Sequence, residues 1–370
     1  MSRTSWINVW SLLLCGVIAL LSFSPGADAQ EYSVTELPTL GGTSSYGYGI
    51  NNSGQVTGYS DITGNTTQHP FLYTGGAIRD LGTLGGTYGS GYAVNSSGQV
   101  TGYASLTNDL SMHAFTYSGG ALKDLGVLSG STSVGYGINA SGQVAGSSES
   151  GPGGVYTHAF LYSGGTMQDL GTLGGNGSDG FAINASGQVT GDAYLSGGTQ
   201  DHVFLYSGGA MKDLGTLGGS AGYGYAINNG GQIAGASYLT GDSAQHAFLY
   251  SGSTLEDLGT LGGTNSYGYG INASGLVTGG ADIAGNAEHA FIDIGGKMQD
   301  LNNEIGSATS LYTLVAGQAI NDSGQIVVDG VVKGTGQQEA FILTPVPLPA
   351  AAWLLLSGLA GVGVLGRKRS

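Results

Sequence analysis

The sequence has almost no cysteine, few charged side chains and no glycine period. Its only cysteine is Cys15, in the first 29 residues, so the remainder of the chain cannot form a disulfide. Charged residues make up 9% of the chain, which excludes a disordered, strongly solvated polymer. Glycine reaches 73 of 370 residues without a three-residue repeat, which excludes a collagen. Helical periodicity and helix caps are missing between the termini, so we expect an all-β body.

Basic residues are the scarcest charged type, with 9 Lys and Arg against 24 Asp and Glu and a net charge of −15. Four of the basic residues lie in the terminal segments, which leaves the body even more acidic. Because an acidic body repels phosphate groups, we expect no nucleic-acid partner. Neutral glycans, cations and basic proteins remain open as partners.

The first 29 residues are typical of a secretory signal peptide. Arg3 supplies the positive start, residues 9–21 the apolar core, and Ala27 and Ala29 a small-x-small cleavage site before Gln30. An N-terminal membrane helix is disfavoured because the apolar core is short. We therefore predict export through the Sec machinery and cleavage after residue 29.

The C-terminal residues 345–370 combine a proline motif, an apolar run and a basic end. The 17 apolar residues 350–366 are just long enough to cross a bilayer, and the basic end would stay cytoplasmic. The motif consists of Val346, Pro347, Leu348 and Pro349, and the basic stop-transfer consists of Arg367, Lys368 and Arg369. A plain single-pass anchor is the alternative to a processed tail.

This order of parts resembles the PEP-CTERM sorting signal in its VPLPA form, with Leu348 where the commonest form has glutamate. The resemblance implies an exosortase as processing partner. It also implies transient anchoring in the inner membrane of a Gram-negative bacterium, and then release to the cell surface or the exopolysaccharide matrix.

Between the termini, three short motifs recur seven times each in fixed order, and the starts of the first motif are 44 to 49 residues apart. An Asn-x-Ser-Gly motif begins at Ile50, Val94, Ile138, Ile183, Ile227, Ile271 and Ile320. A His-Ala-Phe motif begins at His69, His113, His158, His202, His246, His289 and Glu339. An Asp-Leu-Gly-Thr-Leu-Gly-Gly motif begins at Glu36, Asp80, Asp124, Asp169, Asp213, Asp257 and Asp300. The repeat resembles the HAF family of extracellular repeats, which implies export but no established activity.

Each repeat predicts four short strands, with the glycine of Asn-x-Ser-Gly at positive φ in the first hairpin. Four strands in about 44 residues is the size of a propeller blade. The body begins with a lone fourth strand (32–40) and ends with a lone third strand (339–343), and pairing them would close a ring. We predict an all-β, seven-bladed β-propeller over residues 30–344, closed by the N-terminal strand. An open array is the alternative.

The six repeat histidines could be a ring of metal ligands or could each fix a turn within one blade. Zinc ligands must lie within about 2.0–2.1 Å of one ion, and third strands of different blades lie far from the axis. We therefore predict no metal site and no cofactor. Whether each histidine contacts the repeat aspartate is left open. The last blade has Glu339 and Glu36 in place of both, which suggests that the two positions are close.

The first strand carries an aromatic residue two positions before the repeat Ile or Val. Stacking on sugars around a channel is one reading, but the shared strand face favours packing between blades. These positions are Tyr48, Tyr92, Tyr136, Phe181, Tyr225 and Tyr269, with Gln318 in the last repeat.

The loops between second and third strands vary most, and binding often evolves on such loops. Their acids are expected at solvated tips, because calcium needs 6–8 oxygens and no single loop supplies them. Examples are Asp61, Asp109, Glu149, Asp192 and Asp282.

An enzyme needs each catalytic residue once, in a setting that differs from the other repeats. The residues that depart from the repeat pattern form no recognisable catalytic pair. They are Glu149, Glu288 and an insertion at 302–311 that includes Glu304. The sequence thus favours a non-catalytic exported module that binds or spaces extracellular polysaccharide or a surface protein. The alternative is a propeller-type carbohydrate-active enzyme, a glycan lyase or hydrolase.

Overall fold

The computed structural model describes residues 30–107 and 109–347, and regular structure in this part of the chain is almost entirely β-strand. The strands of the first half are β1 (Tyr32–Glu36), β2 (Gly41–Ile50), β3 (Val56–Ile62), β4 (Gln68–Thr74), β5 (Ala77–Asp80), β6 (Gly85–Val94), β7 (Val100–Leu106), β8 (Met112–Ser118), β9 (Ala121–Asp124), β10 (Ser133–Ile138), β11 (Val144–Ser150), β12 (Tyr156–Ser163) and β13 (Thr166–Asp169). Those of the second half are β14 (Gly174–Ile183), β15 (Val189–Leu195), β16 (Asp201–Ser207), β17 (Ala210–Gly215), β18 (Gly218–Ile227), β19 (Ile233–Leu239), β20 (Gln245–Ser251), β21 (Thr254–Asp257), β22 (Gly262–Ile271), β23 (Val277–Ile283), β24 (Glu288–Asp293), β25 (Met298–Asp300), β26 (Tyr312–Ile320), β27 (Ile326–Val332) and β28 (Gln338–Pro345). Short 3-10 helices cover Pro152–Gly154, Leu301–Asn303 and Gly306–Ser310.

The repeats fold into antiparallel four-stranded units, and together they form an all-β propeller. Five of the sheets are separate, whereas β14 to β21 form one eight-stranded sheet. The prediction of seven separate blades is therefore wrong, because the described strands form six sheets, five of four strands and one of eight. The cause is one parallel bridge between Asp201 and Ala221, which joins two halves that each have the four-stranded pattern.

The N-terminal strand completes the sheet of the last repeat, as predicted. β1 runs antiparallel to β28, with Tyr32 opposite Pro345, and the sheet order is β1-β28-β27-β26. A buried cluster that includes Val56, Phe71 and Val327 joins this sheet to that of the first repeat. Both ends of the body are therefore held in one sheet, and the ring is closed by hydrogen bonds and by apolar packing.

The phenylalanine of the His-Ala-Phe motif lies at the centre of the core in every repeat. Full burial of such a side chain contributes roughly 1.5–3 kcal/mol, so packing explains why the motif recurs. The seven fully buried rings are Phe71, Phe115, Phe160, Phe204, Phe248, Phe291 and Phe341.

Two glycines of the first repeat show why glycine is so common. Gly54 has φ 73°, which confirms the predicted left-handed residue of the first hairpin. Gly58 lies where a Cβ would be 1.8 Å from the carbonyl oxygen of Tyr46, so no larger residue fits between β2 and β3.

The insertion of the last repeat forms the 3-10 helices at 301–303 and 306–310, which the sequence did not predict because neither is long enough to repeat a helical pattern. Leu301 and Ile305 are buried in the same cluster as Tyr32. The backbone N–H of Tyr32 donates to the carbonyl of Glu304 at 2.8 Å. The insertion thus holds the closing strand in place.

Candidate functional site

The first strands of all seven repeats surround a channel along the axis of the ring. One section, about 340 Å³ in volume, is lined by the Asn-x-Ser-Gly hairpins. The adjoining section, about 250 Å³, is lined by the aromatic positions of the first strands. Because neighbouring strands are antiparallel, the loops between second and third strands lie at the opposite end. We call the two ends the asparagine face and the loop face.

A closed ring of asparagine side chains surrounds the channel at the asparagine face. Asn51 Nδ2 donates to the backbone carbonyl of Asn95 at 2.9 Å, while its Oδ1 accepts from the N–H groups of Ser53 and Gln55, both at 3.0 Å. The pattern continues from repeat to repeat with Nδ2–O distances of 2.9–3.3 Å, and Asn321 donates back to Asn51. Its members are Asn51, Asn95, Asn139, Asn184, Asn228, Asn272 and Asn321.

The aromatic residues of the first strands line the channel, and each ring also packs against the ring of the next repeat. The register shifts between Gly47 and Gly49, which leaves Tyr48 as the extra residue of a β-bulge. The same bulge recurs in every repeat and directs this side chain to the axis. Consecutive ring centroids are 5.1–5.6 Å apart. This aromatic girdle consists of Tyr48, Tyr92, Tyr136, Phe181, Tyr225 and Tyr269.

Gln318 occupies the seventh position of the girdle, between Tyr269 and Tyr48. A cavity of about 240 Å³ opens beside it, where the sixth, seventh and first repeats meet. We call it the gap cavity. Its polar and aromatic lining consists of Tyr46, Tyr48, Tyr269, Glu288, Gln318, Asp329 and Gln338.

Two carboxyl groups of the gap cavity have pKa values above their ordinary range. Burial raises the pKa of Asp329 to about 7, although Gly47 N–H donates to its Oδ1 at 3.0 Å and a hydrogen bond from Gln318 opposes the shift. Burial, and then the charge of Asp282, raises the pKa of Glu288. The cavity therefore presents carboxyl groups that hold protons more tightly than they would in water.

Each repeat histidine is paired with the aspartate of its own repeat, which answers the question that the sequence left open. His69 Nδ1 lies 2.9 Å from Asp80, whose Oδ1 also accepts from the N–H of Gly82 at 2.7 Å. The six Nδ1–carboxylate distances are 2.7–2.9 Å. The pair thus fixes the turn that ends the fourth strand. The histidines that take part are His69, His113, His158, His202, His246 and His289.

In the ring-closing sheet two glutamates take the place of this pair. A hydrogen bond joins Glu339 to Glu36, and Tyr312 Oη donates to Glu36 Oε2 at 3.2 Å. Burial, and then the hydrogen bond and charge of Glu36, raise the pKa of Glu339 to about 7. The raised pKa of Glu339 reflects the cost of placing two carboxyl groups in adjacent positions.

The acids of the variable segments were predicted at solvated loop tips, and for Asp192 this is wrong. Asp192 lies within β15 and is 4% exposed. Asp61, Glu149 and Asp282 also lie within strands, at their loop ends. Asp109 lies in a loop, where its Oδ1 accepts from the N–H of Thr87 at 2.7 Å.

The structure places two predicted processing sites next to each other. Gln30 Nε2 donates to the carbonyl of Val346 at 3.0 Å, and Val346 N–H donates to Glu31 at 2.8 Å. Pro347 is the last described residue. The other predicted processing residues lie outside the described residues: Ala27, Ala29, Leu348, Pro349, Arg367, Lys368 and Arg369.

Membrane-spanning helices and metal-holding groups are both absent from the described residues. None of their helices is long and apolar enough to cross a membrane. In residues 30–107 and 109–347, His, Cys, Asp and Glu side chains form no group of three or more that could hold a metal ion.

No family model matches this chain, and no curated protein matches it. Solved structures resemble it at low identity. YCF48 bound to a D1 peptide is 12% identical, with 87% of this chain and 97% of that chain covered and a TM-score of 0.50. TolB from Acinetobacter baumannii is 11% identical, with coverages of 79% and 64% and a TM-score of 0.45. TolB from Agrobacterium tumefaciens is 9% identical, with coverages of 86% and 99% and a TM-score of 0.45.

This chain thus spans less than two thirds of the Acinetobacter protein. The likeness to YCF48 shows a β-propeller fold alone.

Proposed function

We propose that this protein is an exported, non-catalytic binding module of the cell surface or exopolysaccharide matrix, and that its gap cavity binds one sugar unit of a glycan. We further propose that the two halves of the eight-stranded sheet act as separate blades, so that the ring has seven. Sorting and removal of the tail by an exosortase would deliver the module, in keeping with the HAF-repeat and PEP-CTERM resemblances.

The gap cavity is the observation that carries this proposal. Its volume of about 240 Å³ lies just below the roughly 300–1,000 Å³ of pockets for drug-sized ligands, so it suits a single sugar ring. Tyr46, Tyr48 and Tyr269 offer aromatic faces for C–H surfaces of a sugar. Carboxyl and carboxamide groups beside them can accept from and donate to hydroxyl groups.

Replacement of Gln318 by tyrosine gives a sharp test. The other repeats hold an aromatic ring at this position at a spacing of 5.1–5.6 Å, so Gln318→Tyr fits the girdle while it fills the cavity. Full-length protein in detergent is titrated with oligosaccharides from the producing organism's matrix. We expect Gln318→Tyr to abolish binding and Tyr136→Phe, on another arc of the girdle, to retain it. Equal binding by both variants would contradict the assignment.

Export and processing have their own test. β28 ends beside the first hairpin of the last repeat, where Pro345 Cγ is 3.2 Å from the position of a Cβ on Gly324. The tail therefore leaves from the asparagine face, and a membrane-anchored precursor would direct the loop face outward. Mass spectrometry of the extracellular protein should find a start at Gln30 and no peptide from residues 353–370. An intact tail on that protein would support simple membrane tethering instead.

A second function, cleavage of a glycan, has one specific observation in its favour. Glu288 and Asp329 both line the gap cavity, and glycoside hydrolases use a pair of carboxyl groups, one with a raised pKa as general acid. Release of new reducing ends from matrix polysaccharide by wild-type protein, lost in Asp329→Asn, would establish this function. Binding without such release supports the non-catalytic module.

A further inference from the structure

Three aspartates lie on neighbouring strands of the fourth repeat. Asp179 on β14 lies directly opposite Asp192 on β15, and Asp201 begins the neighbouring strand β16 opposite Tyr194. No other repeat carries more than one acid at these three positions. The next repeat has uncharged residues in the same register: Tyr223, Ala236 and Gln245. We call the three aspartates the acid cluster.

The acid cluster opposes the stability of the sheet in which it lies. Asp192 and Asp201 are 4% and 7% exposed, and like charges on facing strands repel. Burial, and then the charges of Asp201 and Asp179, raises the pKa of Asp192 well above its ordinary value. Burial also raises the pKa of Asp201 to about 6, and a side-chain hydrogen bond with Asp192 opposes the rise. In the described part of the chain, no lysine or arginine forms an ion pair with the cluster.

Two buried polar atoms at the cluster lack a hydrogen-bond partner among the described residues. They are Asp201 Oδ1 and Ser147 Oγ, from residues that are 7% and 5% exposed. Ser147 belongs to the neighbouring repeat and lies close enough to lower the pKa of Asp179, although its geometry falls short of a hydrogen bond. Buried polar atoms without partners are rare in folded proteins, so these two atoms call for a partner, which a water molecule or a bound ligand can supply.

The surroundings define the chemistry of that group. The cluster offers acceptors and the Ser147 hydroxyl, which an ammonium group with three donors can satisfy. Burial raises the pKa of Tyr223 and of Tyr136, and the charges of these carboxylates raise it further. Both tyrosine rings therefore lie close to the cluster. Aromatic rings beside a cation add attraction.

We propose that Asp179, Asp192 and Asp201 bind the primary ammonium group of a ligand that enters the channel from the loop face. The site lies in the fourth repeat, away from the gap cavity, and the proposal does not depend on a sugar in that cavity. The ammonium group could belong to an amino sugar or to a lysine side chain. In either case it supplies the hydrogen-bond donors and the positive charge that the cluster lacks.

The test is calorimetric titration of full-length protein in detergent at pH 7 with three probes. The glucosamine trimer carries free amines, its fully N-acetylated form has the same backbone without the charge, and Nα-acetyl-lysine methylamide carries one amine. We expect binding of one or both amines and none of the acetylated trimer. The amine that binds more tightly distinguishes a glycan source from a protein source.

The double variant Asp192→Asn, Asp201→Asn should weaken amine binding at least about tenfold, because charge-assisted hydrogen bonds are lost. Its unfolding midpoint should rise, since charge repulsion is removed, whereas a structural role would lower it. Glu256→Gln on an exposed outer strand removes a negative charge elsewhere and should change neither value. Binding of neither amine, equal binding of the acetylated trimer, or calcium binding lost in the double variant would each overturn the proposal.

Discussion

The asparagine ring gives the most direct test of how the propeller stays closed. Asn95 makes four hydrogen bonds: Oδ1 accepts from the N–H groups of Ser97 and Gln99, both at 3.0 Å, and Nδ2 donates to Gln99 Oε1 at 2.7 Å and to the carbonyl of Asn139 at 3.0 Å. The side chain is 4% exposed. Asn95→Ala therefore removes four largely buried bonds, one of which links two repeats.

The magnitude follows from the bonds. Hydrogen bonds at about 0.5–1.5 kcal/mol each give a loss of roughly 2–6 kcal/mol, and water that enters from the channel recovers part of it. We expect Asn95→Ala to lower the free energy of unfolding by about 3 kcal/mol in urea denaturation. Asn95→Asp should lower the free energy of unfolding further than Asn95→Ala does. It keeps the acceptors but turns a negatively charged oxygen toward two other oxygens.

The control is Ser96→Ala, at the exposed neighbouring position of the same hairpin, which should stay within about 0.5 kcal/mol of wild type. If Asn95→Ala matches this control, or if Asn95→Asp is more stable than Asn95→Ala, the ring does not hold neighbouring repeats together as we infer.

Three other predictions concern the ring-closing pair, a close approach and the core. The pKa of Glu339 is raised from 4.5 to about 7, so its contribution to stability is present below pH 4.5 and is lost as the pH rises through about 7. Glu339→Gln should flatten that slope in pH-dependent thermal unfolding, and an unchanged slope would refute the raised pKa of Glu339. Gly58→Ala should prevent soluble expression, because its Cβ would meet a backbone carbonyl at 1.8 Å, whereas Gly334→Ala, with nothing within 4 Å, should express normally. Phe160→Ala should cost about 3–5 kcal/mol in urea denaturation, as for other fully buried aromatic rings, and a loss under 1 kcal/mol would show that the motif is not core.

Pairing of the ends was predictable because it depends only on the phase of the repeat. A lone fourth strand before Leu37 and a lone third strand around Phe341 fit one sheet whatever their side chains are. The His–Asp contact was open because residues 11 apart in sequence, such as His69 and Asp80, can lie on facing strands or on opposite sides of a turn. The hydrogen bonds between β4 and β5 bring the two side chains to the same side of the hairpin, where they make contact.

The position of Tyr48 shows where strand periodicity fails. Alternation assigns residues two apart to the same face, but a bulge inserts one residue and turns its side chain toward the axis. Asn51 carried a readable signal, since all seven copies retain it. Its hydrogen bond to the next repeat could not be read, because it joins residues 44 apart.

The sequence by itself determined the all-β class, the repeat unit, the closure by the N-terminal strand and the acidic charge, because strand patterning and repeat phase are local or periodic properties. Only the tertiary structure decided what converges at the axis. Asp192 and Asp201 in the fourth repeat, and Glu288 and Asp329 beside the gap cavity, come from different strands. Their raised pKa values arise from burial that no single segment encodes. A ring brings one point of every repeat to a shared channel, so small departures such as Gln318 become cavities there.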